Sequence, residues 1–338
     1  MNKNNAQPPT PIFSVAICTY NRADLLPGIL DDLTKQNTPI ETYEVLIIDN
    51  NSSDQSATIA QQYCAEHANS RYIFEAKQGL SHARNRAWQE AQGVYLAYTD
   101  DDCRIPTDWL ATAQIITEQY NPVIFGGPYQ AFYIDRPIWV KDSYWSSLGR
   151  VESAGWLPNN RYLSGGNLFI KKSILIELQG FTPELGVYGK KKYFGEETDF
   201  EIRVRKTYPD LKFYYDPALC VGHLVDPQKL NIRIRLHHVF RHGRSNAHLT
   251  RTHNSLENLP IMHKLKMLLL LSFHAIRTII VILWMMSIGT LLRNRHQSPY
   301  WQNYWHEKIG DQVTTLGTIY EKTSYFSSSI IEKLTRDR

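Results

Sequence analysis

Hydrophobic and polar positions along the first third of the chain fall into alternating blocks of two kinds. The runs 13–18, 43–49 and 94–98 are short, continuous and rich in β-branched and aromatic residues, the pattern of buried strands. Residues 71–75 and 123–127 read the same way. Between them, Leu25, Leu26, Ile29, Leu30 and Leu33 recur at helical spacing over 23–34. Further helices are predicted over 54–67, where Ser53 or Asp54 supplies an N-cap, over 80–92, and over 106–120, opened by Pro106. The pattern then loosens. Residues 129–162 are aromatic without clean periodicity, with Trp139, Tyr144, Trp145 and Trp156 as flat rings suited to sugar faces, and 163–171 reads as a tight turn into a strand. A helix is predicted over 196–208, short strands over 212–216 and 219–223, an arginine-rich helix over 230–248, and an apolar stretch over 267–292.

Strand and helix in strict alternation imply an α/β fold with right-handed crossovers and a mostly parallel sheet, covered on both faces. Such sheets bind ligands outside the carboxyl ends of their strands. The polar clusters sit there: Thr19-Tyr20, Asp49 and Asp100-Asp101-Asp102. Three carboxylates at the end of a buried strand repel one another and lose hydration. A hard divalent cation, Mg²⁺ or Mn²⁺, relieves both problems. The competing reading is a solvated turn with Asp102 capping the next helix. No GxGxxG follows the first strand and no GxxxxGK[ST] occurs, which argues against a dinucleotide fingerprint and a P-loop.

Composition narrows the picture. A length of 338 residues fits a large domain with an appendage. The boundaries read as a polar, disordered N-terminus over 1–11 without a secretory signal, a catalytic domain over 12–225, a basic helix or linker over 226–259, and an apolar helix with its tail over 260–338. The segment 12–225 divides at 128/129. A formal charge of +4 is too small to argue for nucleic acid. The four cysteines form no CxxC pair, which points away from zinc and toward reduced thiols. Within 267–292 the charge-free part, 278–292, spans about 22 Å at 1.5 Å per residue. That is short of a bilayer core of about 30 Å. Including Arg277 makes it long enough, at the cost of a charge, and Lys264, Lys266, Arg293 and Arg295 at both flanks blur the orientation. An interfacial or re-entrant helix on the cytoplasmic face of the cell membrane is expected ahead of a spanning one, with a buried helix or dimer interface as the third reading.

Four segments in order carry a family resemblance. Ala16-Ile17-Cys18-Thr19-Tyr20-Asn21-Arg22, then residues 45–54 from Val45 through Asp49 to Asp54, then Gly79-Leu80 through Arg84-Asn85, then Thr99 to Asp102 resemble family 2 glycosyltransferases. These are inverting, metal-dependent enzymes of the GT-A fold that use nucleotide-diphosphate sugars, here of the bacterial polysaccharide-biosynthesis type. The resemblance covers roughly 13–208, and it makes 12–128 a nucleotide-binding half and 129–225 an acceptor-binding half. It implies that Thr19, Tyr20 and Arg22 meet the nucleotide, that Asp49 accepts from the base, as a uracil imide would require, and that Arg84 faces the nucleotide or its phosphates. It places Asp100 and Asp101 beside ribose or sugar and Asp102 on the metal, with His223 as a further ligand. Gly165, Gly166 and Asn167 would approach the donor sugar. In the acidic segment, Glu196 would touch substrate, Glu197 takes the place of the base, where the family usually has Asp, and Asp199 is the fallback. The donor implied is a UDP-sugar with Mn²⁺ or Mg²⁺, and the acceptor a saccharide or lipid-linked chain. Two rivals remain: a nucleotidyltransferase, whose Gly/Arg/Lys-rich signature the first strand lacks, and a catalytically silent scaffold of the same fold.

Overall fold

The continuous apolar runs become fully covered strands, as their composition requires. β1 (Phe13–Thr19) and β2 (Tyr43–Asp49) are buried along almost their whole length. With β3 (Ser70–Phe74) and β4 (Tyr95–Asp100) they form a parallel set in the order β3-β2-β1-β4. The computed structural model describes residues 10–147, 151, 153–188, 191–253, 259–292 and 300–336. Residues 1–9 of the expected disordered N-terminus, and Arg293 and Arg295 at the end of the apolar stretch, lie outside them.

The connecting helices are α1 (Leu26–Thr34), α2 (Ser56–Glu66), α3 (Leu80–Glu90) and α4 (Trp109–Tyr120). Three start later than periodicity predicts, each for a local reason. Pro27 sits in the first turn of α1. Asp54 gives one oxygen to the Ser56 N–H and the other to the Ala23 N–H, so its turn precedes α2 instead of starting it. The Trp109 N–H closes a turn onto the Pro106 carbonyl before α4 begins. Between β4 and α4, β5 (Cys103–Arg104) is a two-residue strand.

Beyond α4 the sheet becomes mixed. β6 (Ile124–Gly126), β7 (Tyr129–Phe132) and β8 (Gly155–Trp156) lead to β9 (Asn167–Lys171). β9 runs antiparallel to both β4 and β6, because it returns from a long excursion instead of a crossover helix. Short α5 (Lys172–Glu177) and the hairpin strands β10 (Gly186–Tyr188) and β11 (Lys191–Tyr193) precede α6 (Glu196–Thr207). β12 (Tyr214–Tyr215) completes the order β3-β2-β1-β4-β9-β6-β12-β8. β13 (Val221–Leu224) lies between β5 and β7 in a separate small sheet, with His223 opposite Cys103. Two apolar clusters pack against the faces of the main sheet. One is built on Phe13, Trp109, Phe125 and Phe169, the other on Leu46, Tyr98, Phe181 and Phe200.

The chain divides into two units. The first contains Met1–Phe132, Asp142–Lys191 and Glu196–Leu224; the second contains Tyr133–Lys141, Lys192–Gly195 and Val225–Arg338. In the second unit the arginine-rich segment forms α7 (Ile232–His253) and the apolar stretch forms α8 (Ile261–Leu292). The tail, which the sequence reading passed over, forms α9 (Trp301–Tyr304), a π-helical turn over Trp305–Ile309, and the long α10 (Gly310–Arg336). α7 and α10 meet backbone to backbone. A Cβ on Gly243 would overlap the Thr314 carbonyl, and one on Gly317 the Phe240 carbonyl; Thr318 Oγ1 donates to Gly243 O at 3.0 Å.

Candidate active site

The ends of β1 and β2 are clasped together by their turns. Asn21 and Asn51 both adopt the left-handed region, at φ 52° and 65°, which asparagine tolerates better than most residues. The Asn21 N–H donates to Ser52 Oγ at 3.0 Å, and Asn21 Oδ1 accepts from the Ser53 N–H at 2.7 Å. The Arg22 N–H reaches Ser56 Oγ. Tyr20 is left half-exposed. Asp49 is buried, and its oxygens accept from the Ser52 N–H at 3.0 Å and the Tyr72 hydroxyl at 2.9 Å. A carboxylate has about four acceptor positions, so half of them are still open. Burial, and then Asp49, push the Tyr72 phenol up to about 12. Asn50, which the sequence reading passed over, donates to the Glu75 and Lys77 carbonyls and accepts from the Gly79 N–H, fixing the approach to α3.

The acidic trio is divided by the end of β4. Asp101 turns inward, 4.0 Å from Arg22, and its carboxyl is raised to about 7 by burial and by repulsion from Asp102, with Thr19 opposing. Asp102 Oδ1 lies 3.5 Å from His223 Nε2, held there by the pairing of β5 with β13. Donor atoms of Asp100, Asp102, Cys103 and His223 all fall within 4.8 Å of one another. Burial pushes the Cys103 thiol well above its usual value, and its sulfur contacts the Gly166 carbonyl. That leaves two carboxylates and an imidazole, a donor set suited to a hard or borderline divalent ion.

Arg84 is nearly inaccessible, and its guanidinium contacts protein carboxylates. It lies 2.7 Å from Glu196 Oε1, 3.5 Å from Asp100 Oδ1 and 3.9 Å from Glu197 Oε2. Burial disfavours its charge, but these three carboxylates outweigh burial and hold it ionised. Arg84 therefore ties β4 to α6, where the sequence reading had it facing the nucleotide or its phosphates. Around it the paired glycines are sterically required. A Cβ on Gly165 would sit 2.7 Å from Arg84 Nη2, and one on Gly166 2.5 Å from Asp100 Oδ2.

Two other expectations change. Asn167 is fully buried; its amide donates to the Pro128 and Leu219 carbonyls and accepts from Trp109 Nε1, so it braces the strands. Asp199 accepts from Thr182 Oγ1 at 2.6 Å and Arg203 Nε at 3.0 Å, an anchor for the loop after α5 and not a free base. Among the flat rings expected to meet a sugar, Trp139 is buried in the second unit, whereas Trp156 is exposed and packs edge-on against Tyr214.

Glu197 faces a cleft of about 390 Å³ whose other walls include Tyr129, Arg161, Tyr162, Ser164 and Tyr215. Burial and the adjacent Glu196 raise its carboxyl well above the ordinary range, against the pull of Arg84. The Tyr215 hydroxyl, buried in the wall, has no hydrogen-bond partner among the described residues. α6 also holds the opposite side of the cleft. Glu201 accepts from the Leu163 N–H through both oxygens at 3.2 Å, and Arg205 donates to the Asn159 and Arg161 carbonyls. Sequence reasoning missed Glu201, Tyr129, Arg161 and Tyr215. The one available signal was Glu201 at i+4 from Glu197, on the same helical face.

Residues 14–179 match the model of Glycosyl transferase family 2. Over 190 residues the chain is 37% identical to the glycosyltransferase AglE of Haloferax volcanii, a match covering 56% of this chain and 62% of that relative. Among solved structures, the mannosyltransferase PcManGT from Pyrobaculum calidifontis, in complex with GDP-Man and Mn2+, superposes with a TM-score of 0.58 at 16% identity, covering 93% of this chain and 86% of that one. S. aureus TarS 1-349, in complex with UDP-GlcNAc, gives 0.51 at 19% identity over 72% and 73% of the two chains. The fold is thus shared with GT-A enzymes, as expected.

Proposed function

The chain belongs, through residues 14–179, to glycosyl transferase family 2, and from this we propose that it moves a sugar from a nucleoside-diphosphate sugar to an acceptor hydroxyl with inversion at the anomeric carbon. The observation that carries the reading is the convergence of Asp100, Asp102 and His223 beside Glu197 and its cleft. Of the five carboxyl groups, burial raises Asp101 and Glu197, and the remaining three, Asp100, Asp102 and Glu196, still outnumber Arg84 and Arg22. Mn²⁺ or Mg²⁺ fits that deficit and that donor set. Asp102 and His223 would hold the ion, with Asp100 alongside, and when bound it would stabilise negative charge on the departing diphosphate.

The remaining roles fall to the chain. Tyr20 offers an exposed ring to the base, and the open acceptor positions of Asp49 suit a uracil imide, which makes UDP our choice of carrier. Thr19, Arg22 and Asp101 line the nucleotide end, while Gly165 and Gly166 let the donor sugar approach the backbone. The acceptor, a saccharide or lipid-linked chain, enters the cleft. Glu197 removes its hydroxyl proton as the oxygen attacks the anomeric carbon from the side opposite the nucleotide. No covalent sugar–protein intermediate is needed. Arg84 and Glu196 position the first turn of α6, and Asp199 positions it from behind. The membrane-facing part of the reading places the protein on the cytoplasmic face of the cell membrane, in glycan biosynthesis, where α8 is the one described helix long and apolar enough to cross a bilayer.

The test uses purified full-length protein with a panel of nucleotide sugars, release of nucleoside diphosphate, and calorimetry with UDP and Mn²⁺. Asp102→Asn should lose metal-dependent nucleotide binding. Glu197→Gln should keep that binding and lose about 10²–10⁴-fold in turnover, the usual span for a general base. Wild-type turnover in both variants would remove the mechanism.

A further inference from the structure

α8 meets the second unit along one narrow stripe. Lys264 Nζ donates to Ser329 Oγ at 2.7 Å; Leu271 packs with Ile319 and Phe326; the Tyr304 hydroxyl donates to the Met285 carbonyl at 3.0 Å. The partners descend from 329 to 304 as α8 ascends from 264 to 285, so the rod over 301–336 runs antiparallel along it. The 21 steps from 264 to 285 cover about 32 Å of helix axis. α8 is therefore braced over a length equal to the whole hydrocarbon layer of a membrane, about 30 Å.

The opposite face of α8 is apolar, and no described residue covers it. Met262, Leu269, Phe273, Ile276, Ile280, Leu283 and Trp284 are each more than half exposed, between 56 and 74%. At 100° per residue they fall within one arc, centred opposite Leu271. Exposed Lys266 and Arg277 lie along one edge of that arc. The brace itself is polar. α10 carries exposed Asp311 and Glu332, and it packs in turn on α7, where Arg244 Nε meets Glu321 at 3.0 Å. A spanning α8 would draw this layer of ionised groups into hydrocarbon beside it, where charge is strongly disfavoured.

We propose that α8 lies in the plane of an anionic membrane, its outer arc sunk into one leaflet with α10 and α7 stacked above it on the water side. Lys266 and Arg277 then sit at the depth of the lipid phosphates, and the chain is monotopic. This rests on the membrane part of the proposed function and fixes the orientation that length and hydropathy leave open.

The experiment places nitroxide labels at Met262→Cys, Phe273→Cys and Trp284→Cys, one at a time, in a full-length chain whose partly exposed Cys18, Cys64 and Cys220 are replaced by serine. Vesicles of phosphatidylethanolamine and phosphatidylglycerol are added, and label depth is read from oxygen and nickel-chelate accessibility. An in-plane helix gives the same shallow depth at all three sites. Phe273→Asp with Ile280→Asp should lower vesicle partitioning at least about tenfold while metal-dependent UDP binding persists. A graded profile, with Phe273 near the bilayer centre and the other two near opposite surfaces, would overturn the orientation and leave membrane attachment standing. Failure of the wild-type chain to bind vesicles, with dimers in sedimentation, would overturn both by showing that a second copy covers the arc. Neither result bears on sugar transfer, which the UDP calorimetry reads separately.

Discussion

At the scale of single residues, the site is governed by carboxylates in unequal surroundings. Glu197 and Glu201 lie four residues apart on α6, and both are raised, chiefly by burial. If Glu197 is the base, as proposed, the elevation brings it closer to working pH, and kcat/KM should rise with pH through a range above the usual carboxylate value of about 4.3. A profile flat down to that value would mean that another group takes the proton. For Glu201 the consequence is stability. The folded state keeps its proton where the unfolded chain has lost it, so stability is greater at low pH and falls as pH rises between the two values. Glu201→Gln should preserve the bond to the Leu163 N–H and flatten the decline of Tm with pH. Glu201→Ala should cost about 1–3 kcal/mol by leaving that buried donor unmet, measurable by urea unfolding. Gly165→Ala tests the steric argument. A methyl 2.7 Å from the Arg84 guanidinium must displace it, and turnover should drop although Ala is chemically bland.

Among elements, the contact of α7 with α10 is the most demanding. Gly243 and Gly317 let two backbones touch, and a side chain at either must separate them. Gly243→Val should cost at least about 1–3 kcal/mol, the range for overpacking, seen as a lowered unfolding midpoint. The same helices share a polar knot. Burial alone would raise the Glu321 carboxyl, but hydrogen bonds from His248, Arg244 and Tyr193 lower it to about 2. A lowered carboxyl contributes stability above its unfolded value, and that contribution disappears as pH falls toward 2. This is the opposite sign to Glu201. Arg244→Ala should cost about 3 kcal/mol, because a buried acid loses its partner, and should weaken the acid-side dependence.

For the whole molecule, the first unit resembles its relatives in fold while its chemistry depends on ligands that bind the folded state. UDP with Mn²⁺ at about a hundredfold over Kd should add about 2.7 kcal/mol and raise Tm by about 4–6 °C. Either component alone should do much less if, as proposed, the acidic site and the nucleotide meet through the ion. An equal shift with UDP alone would separate the nucleotide site from Asp102 and His223.

Periodicity was enough for β1 to β4 and their helices, because strands buried on both faces have few compositions open to them. The ordered motifs were enough to suggest the family, because three lie at strand ends and the fourth opens α3, the places where this fold gathers its polar side chains. The sequence did not reveal that Arg84 would be enclosed by Glu196 and Asp100, or that Asn167 would use up its amide on strand carbonyls. Those outcomes depend on partners 16 to 112 residues away. α10 was legible and was passed over. Val313, Leu316, Ile319, Phe326 and Ile330 recur at helical spacing, and Ile319, Phe326 and Ile330 are buried. Local pattern thus settled the strands and helices of the parallel half and the polar ends of its strands. Only the packed structure decided which polar groups face a ligand and which are taken by neighbours, since hydrogen-bonding capacity is finite and is shared among groups that are distant along the chain.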